Sequence, residues 1–352
     1  MSDANTGLQG YILSHTKEED GGFKIVLKDT IDNIPDICFT SCTTLKTIQF
    51  KYFSNVTSIG IGFLAYCSSL LSVAVSGLSN VTSIDYGFLG GCSSLQSVDL
   101  SPLSNVTIIG DMFLAGCDAL QSVDLSPLSS VTSIGDSFLG GCTSLQSVDL
   151  TPLTKAFDTM KIVPDNFLAY CYSLQSVDSS GLSNVNHIGS SFLCECTSLQ
   201  SVDLSPLSKV TSISGKFLYM CSSLQSIDLS PLSKVTIIGD FFLNQCTSLQ
   251  SIDLSPLSKI TSIDNYFLTI CSSLQSVDLS PLSNVTSIGG SFLAYCSSLE
   301  TLTMPNTTGI TSIGTGYFGG CSQLTTIYCP KGTLDKYKSL MSNRSTIMVE
   351  LS

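Results

Sequence analysis

Residues 100–124 read LSPLSNVTIIGDMFLAGCDALQSVD, and residues 125–149, which follow at once, read LSPLSSVTSIGDSFLGGCTSLQSVD. The second stretch is the first with a few substitutions, so the chain is written in units of 25 residues. The cysteines count the copies: Cys42, Cys67, Cys92, Cys117, Cys142, Cys171, Cys196, Cys221, Cys246, Cys271, Cys296 and Cys321. Every step is 25 residues except the 29 from Cys142 to Cys171, whose four extra residues fall near 155–161 and read as a looped-out coil. Twelve copies run from about Ile31 to Cys329, and the repeat overrides any division of the 352 residues by length alone.

Inside one unit the apolar positions are Leu95, Val98, Leu100, Leu103, Val106, Ile109, Phe113, Leu114 and Cys117. That spacing fits neither one long helix nor one long strand and predicts a coil with corners. LQSVDL suits a short strand, Pro102 stops it, and VTII gives a second extended piece before Gly110 turns the chain. Asp111 is expected to cap a short helical turn that points Phe113, Leu114 and Cys117 inward. One coil cannot bury both its faces, whereas stacked coils bury them against their own copies about 4.8 Å away, giving a solenoid about 60 Å long. The core is then a set of ranks: a phenylalanine spine through Phe113, Phe138, Phe217 and Phe242, a leucine rank through Leu95, and the thiols.

The pieces FLGGCTSLQSVDL, FLCECTSLQSVDL and SIGDSFL resemble the leucine-rich repeat superfamily, and within it the BspA-like (Treponema pallidum type) class. The resemblance implies a β-rich solenoid, a right-handed array of about twelve 25-residue coils with short strands and short helical turns. The alanine usual before the family's Phe is replaced here by Met112, Ser137, Lys216, Phe241 or Tyr266, and the LSPLSNVT corner is richer in Ser. Open coil ends would expose pairing edges. The reading therefore expects an N-terminal cap over 1–30, the solenoid over 31–329 and a C-terminal cap over 330–352, the last resembling the family's terminal segment.

Composition narrows the function. The net charge is −12, and Arg344 is the only arginine, so the footprint for holding a phosphate backbone is missing and no nucleic acid is expected. No apolar run approaches a membrane helix, and the opening MSDANTGLQGYILSHTKEED has no export-signal pattern. Membrane insertion is not expected, and the location is open: cell surface or secreted by the family resemblance, cytoplasmic if the missing signal is genuine. No nucleophile elbow, P-loop, dinucleotide fingerprint or HExxH occurs, and His15 and His187 are the only histidines. No enzyme, no cofactor and no metal site is expected.

Four features compete as sites. The thiol rank lacks histidine and zinc spacing and reads as buried free thiols, with Cys194 the one placed where reactivity is conceivable. Asp99, Asp124, Asp149, Asp178, Asp203, Asp228, Asp253 and Asp278 share one outward strand position; such a stripe needs relief from neighbouring Ser or from counter-ions, or it attracts a basic partner. NVT, NTT and NRS make sequons at Asn55, Asn80, Asn105, Asn284, Asn306 and Asn343, although the first four are also repeat consensus. Variation gathers at the Phe–Cys turn, where Lys216, Phe241 and Tyr266 form one rank and Met220, Gln245, Ile270 and Tyr295 another, with Tyr219 and Asn244 between. These make a mixed aromatic patch, either plain cover for the corner or a protein-binding surface. The expectation is a non-catalytic monomer that presents an extended surface to a protein partner, an adhesion module by resemblance. An intracellular interaction scaffold is the alternative, and a self-assembling structural solenoid a second.

Overall fold

Proline in the S-P-L corner ends the preceding extended segment, because its ring fixes φ and removes an N–H. In the computed structural model, which describes residues 12–17, 23–27, 33–50 and 55–352, this corner is a 3-10 turn in Ser101–Leu103, Ser126–Ser130, Thr151–Leu153, Ser205–Leu207, Ser230–Leu232 and Ser255–Leu257. The turn's leucine points inward and is buried in each. From Ser58 on, the second extended piece forms a two-residue strand in each coil, and these strands pair in parallel with their copies except between Ser133–Ile134 and Ile162–Val163 and between Ile237–Ile238 and Ser262–Ile263.

The chain packs as two compact units, 1–182 and 183–352. In the first, Ser58–Ile59, Ser83–Ile84, Ile108–Ile109 and Ser133–Ile134 form one parallel ladder, each residue opposite its own copy. Ahead of them, β1 (Ile12–Lys17) pairs antiparallel with β2 (Phe23–Leu27); most of the segment read as an N-terminal cap lies outside the described residues. In the second unit the matching ladders join His187–Ile188, Ser212–Ile213 and Ile237–Ile238, then Ser262–Ile263, Ser287–Ile288 and Ser312–Ile313. Its end carries the strand Thr326–Cys329, a short helix at Leu334–Leu340, and the parallel strand Met348–Glu350.

Between coils the phenylalanine rings stack nearly parallel. Phe113 and Phe138 lie 5.3 Å apart at 8°, and Phe217 and Phe242 5.5 Å apart at 9°. The four extra residues are not a loop. Thr154–Met160 is a helix, α1, which buries Ala156 and Phe157; Phe157 meets Phe167 edge-on at 5.7 Å. Apolar residues at helical spacing in TKAFDTM drive this, and Met160 Sδ takes the N–H of Ile134. The ladder of Ser147–Asp149 with Ser176–Asp178 continues past the insertion in exact register.

Two expectations are corrected. The S-V-D segments form strands in some coils, but 97–99, 122–124, 201–203, 226–228 and 251–253 have no ladder, and their central Val or Ile is only half-buried. In these coils the segment leads directly into the 3-10 turn of the S-P-L corner, and successive turns stack on one another. The Phe–Cys corner, moreover, is not helical. Met112 (φ 58), Leu114 (φ 54) and Gly116 (φ 71) are left-handed and alternate with residues of ordinary φ, and the same three positions are left-handed in coil after coil. The N–H groups of the left-handed residues go to neighbouring coils, Met112 to the Asp136 carbonyl at 2.7 Å, Leu114 to Phe88 at 3.0 Å and Gly116 to Gly140 at 2.7 Å, while Ala115 between them closes a turn onto the Met112 carbonyl at 3.2 Å. A left-handed leucine costs about 1–2 kcal/mol, which these inter-coil bonds offset. Asp111 accordingly caps no helix; its Oδ1 accepts the N–H of Asp136 on the next coil at 2.9 Å.

Candidate functional site

The left-handed corner decides which side chains reach the surface of the second unit. The residues five and one before a cysteine are exposed or half-buried, Ser191 excepted, while the residue two before it is buried at Cys194, Asn244, Thr269 and Ala294 but only half-buried at Tyr219. Phe241 and Tyr266, on successive coils, stack at 4.5 Å and 5°, and Tyr219 meets Phe241 edge-on at 5.7 Å. Lys216 Nζ stands 6.0 Å over the Tyr219 ring, and Gln245 Nε2 donates to the Tyr219 hydroxyl at 3.1 Å. Burial, with Glu195 nearby, raises the Tyr219 phenol. The structure thus brings Lys216, Tyr219, Phe241, Gln245 and Tyr266 into one cluster with Tyr266 40 % exposed. Met220 and Ile270 are half-buried at its margin. Tyr295 is 62 % exposed and leans over Gly320, one coil further on.

Asn244, expected among the contacting residues, is a correction: it is buried beneath the cluster. Its Nδ2 donates to the Tyr266 carbonyl at 3.2 Å, which helps fix the backbone that carries Tyr266. Cys194 is corrected too. It is buried, and its thiol is pushed up to about 12, first by burial and then by Glu195, which removes the reactivity its position suggested.

Each aspartate of the acidic rank is exposed and closes an Asx turn onto the corner that follows it. Asp99 Oδ1 accepts the N–H of Ser101 at 2.9 Å, and Asp124, Asp149, Asp178, Asp203, Asp228, Asp253 and Asp278 repeat the contact at 2.8–3.0 Å. Hydrogen bonds from Ser101 and Ser180, hydroxyl before N–H, hold Asp99 and Asp178 below the usual carboxylate range; for Asp124 and Asp228 the N–H of Ser126 and Ser230 leads. A carboxyl whose folded pKa is depressed stabilises the fold above its unfolded value, about 3.9, and loses that contribution as the pH falls through the folded value. Asn keeps the accepting oxygen and drops the charge. The triple change Asp203→Asn, Asp228→Asn, Asp253→Asn is expected to lower the melting temperature only slightly, whereas the three Ala changes, which also remove the acceptor, lower it by several degrees. Equal melting of the two triples in calorimetry would remove the turn-closing role.

The thiols have a part beyond filling space. Sγ of Cys92, Cys117, Cys142, Cys221, Cys246 and Cys271 lies 3.1–3.3 Å from the carbonyl of the left-handed leucine on the preceding coil. His187 Nδ1 meets Ser212 Oγ at 2.7 Å on the neighbouring coil, a polar contact with no carboxylate in it. Asn105 and Asn284 spend their side-chain N–H on the carbonyls of Ser79 and Ser258. Among the described residues, no three His, Cys, Asp or Glu converge as metal ligands, and no helix is long and apolar enough to cross a membrane.

A second surface was not singled out from the sequence. In the first unit the residue before the cysteine runs Tyr66, Gly91, Gly116, Gly141, Tyr170, and the glycines floor a trough of about 420 Å³. Reading that one position down the copies exposes it.

The sequence profile of the BspA type leucine rich repeat region (6 copies) matches residues 23–146, 107–239, 161–280 and 211–348. No curated protein matches the chain. Among solved structures, a leucine-rich repeat protein from Eubacterium ventriosum is similar at 17% identity, covering 90% of this chain and 94% of that one, with a TM-score of 0.53. A leucine rich cell surface protein from Faecalibacterium prausnitzii is similar at 19% identity, with 93% and 95% covered and a TM-score of 0.50. A leucine-rich repeat protein from Bacteroides ovatus shares 21% identity over 97% and 98%, with a TM-score of 0.48.

Proposed function

The chain belongs to the BspA-type leucine-rich repeat family, and from that premise we propose that it is a non-catalytic binding module that holds a protein partner against the aromatic cluster of its second unit. The observation that carries this reading is the Phe241–Tyr266 stack, accessible at its outer face and braced from the side by Tyr219. Aromatic side chains fixed in one rotamer bury a large area on binding at little entropic cost, as interface anchors do. The reading is non-catalytic because the chain's Asp and Ser recur as ranks, whereas a catalytic constellation is a single asymmetric cluster. An adhesive role outside the cell accords with the cell surface relative. The free thiols do not argue against it: all but the half-buried Cys42 are buried, and burial protects them without a reducing compartment.

The test is affinity capture from host-cell surface extracts with the native chain and with Phe241→Ala/Tyr266→Ala, both checked for native melting. At least one protein retained by the native chain is expected to be lost, by tenfold or more, from the double variant. Identical captured sets would end the cluster's role.

A further inference from the structure

We infer that Cys42 and Cys67, at the open end of the thiol rank, are a redox-active pair that a small disulfide such as glutathione disulfide converts to an intramolecular disulfide bond. Three observations support it. The first is adjacency. The bridge of Ile34 with Ile59 and the ladder of Thr47–Gln49 with Ser72–Ala74 pair residues 25 apart on either side of these cysteines, so Cys42 stands opposite Cys67 on the neighbouring coil. Coils about 4.8 Å apart place the two Cα atoms inside the window of about 4.4–6.8 Å that a disulfide spans. The two thiols are in hydrogen-bond contact, and the Cys67 sulfur also lies against the Cys42 N–H.

The second observation is place in the rank. Further along, each thiol has a carbonyl on the preceding coil to bond: Cys67 donates to Phe39 at 3.0 Å, Cys92 to Leu64 at 3.1 Å and Cys117 to Leu89 at 3.3 Å. Cys42 is the first rung. No carbonyl of the described residues takes its S–H, and its side-chain partner is the Cys67 thiol.

The third is access. Cys42 is half-buried, whereas every other cysteine is buried. Contact with Cys67 holds the Cys42 thiol below its usual range, while contact with Cys42, and then burial, push Cys67 up. An accessible thiolate beside a buried thiol is the arrangement of an attacking and a resolving cysteine. The Cys42 thiolate attacks one sulfur of glutathione disulfide, forms a mixed disulfide and displaces a glutathione thiolate, which takes up a proton. Cys67 then gives up its proton, attacks the Cys42 sulfur and displaces the second glutathione, which leaves as the thiol. Two protein thiols are oxidised, and one glutathione disulfide is reduced to two glutathione molecules. The bond ties the first coil of the rank to the second, and the pair registers an oxidising surrounding that burial hides from the other thiols.

The test uses the full chain, reduced, freed of reductant and incubated without denaturant with glutathione disulfide. Remaining thiols are blocked with N-ethylmaleimide, and peptic peptides are mapped by mass spectrometry without reduction. A cystine joining Cys42 to Cys67 is expected, with its yield falling tenfold or more in Cys42→Ser and unchanged in Cys92→Ser. Cys67→Ser is expected to stop at the mixed disulfide on Cys42. The oxidised native chain should melt several degrees higher than the reduced one, since the bond closes a loop in the unfolded chain, and dithiothreitol should reverse the shift. Cys296 and Cys321 make the same thiol contact but are both buried, which makes them an internal control expected to stay reduced. Thermal melts verify that each variant is folded, and Cys42→Ser, at a half-buried position, keeps the test decisive should Cys67→Ser not fold. Recovery of both thiols as maleimide adducts, glutathione held on Cys42 of the native chain with no cystine, or linkage of Cys296 to Cys321 in equal yield would each overturn the proposal. So would maleimide labelling of the native reduced chain in which Cys42 reacts no faster than the buried thiols.

Discussion

Raising the pH to about 10 under reducing conditions is expected to unfold the protein. Burial pushes the thiols of Cys92, Cys171 and Cys271 up to about 12, and those of Cys117, Cys142, Cys221 and Cys246 well above the ordinary range. In the unfolded chain the same thiols ionise near their usual value of about 8.5. A group whose folded pKa is raised contributes stability that is whole below the unfolded pKa and drains away above it, at about 1.4 kcal/mol per pH unit for each thiol. At about pH 10 each loses about 2 kcal/mol, hence about 8 kcal/mol for the four in the first unit and about 6 kcal/mol for the three in the second. A domain's whole stability is about 5–15 kcal/mol, so the loss is decisive. Far-UV circular dichroism against pH measures it. Cys221→Val with Cys246→Val removes two ionising groups, and its alkaline midpoint is expected to rise even though the lost thiol hydrogen bonds lower its stability at neutral pH. A signal unchanged to about pH 11, or a midpoint unmoved in that variant, would refute the account.

Phe242→Ala is expected to cost about 3–5 kcal/mol. The ring is fully buried between Phe217 and Phe267, each 5.5 Å away and within 9° of parallel. The hole cannot close by moving neighbours, because the coils on both sides are spaced by backbone bonds such as Leu243 N–H to the Phe217 carbonyl at 3.0 Å and Leu268 N–H to the Phe242 carbonyl at 3.1 Å. Urea titration monitored by fluorescence and circular dichroism gives the difference. A loss under about 1 kcal/mol would mean that the spine is not the main brace of the second unit, and Phe242→Leu should recover part of the loss.

The features readable in advance are those that recur with the period. Phe113, Leu114, Cys117 and Ile109 fall on the core because their copies do, and the short strand at Ile108–Ile109 follows from alternation alone. What escaped was backbone handedness. Leucine so rarely takes positive φ that Leu114 or Leu243 carries no sign of it. A sign existed beside them: Gly62, Gly87, Gly91, Gly116, Gly141, Gly316 and Gly320 all stand at the two other left-handed positions of the corner. The cysteine's role as a donor to the preceding coil could not be read either, since a buried thiol packs equally well with no partner. Of the aromatic cluster, the ranks were legible, but the inward turn of Asn244 depends on the handedness that was missed. The acidic rank was visible as a row of charges; its work in closing each S-P-L corner needed the hydrogen bonds of Asp203 and Asp228 to be seen.

α1 shows where this architecture accepts extra length. Its four added residues make about one helical turn, and the strand at Ser176–Asp178 still meets Ser147–Asp149 residue for residue across a 29-residue separation. The break in the other ladder is patched by the helix itself, through Met160. The corner after Pro152 is therefore a port in the coil: material spliced there lengthens one lap without re-registering the next. It is the natural place for such a gene to acquire a new segment, and for a protein engineer to graft a peptide or a reporter while the surrounding coils stay as they are.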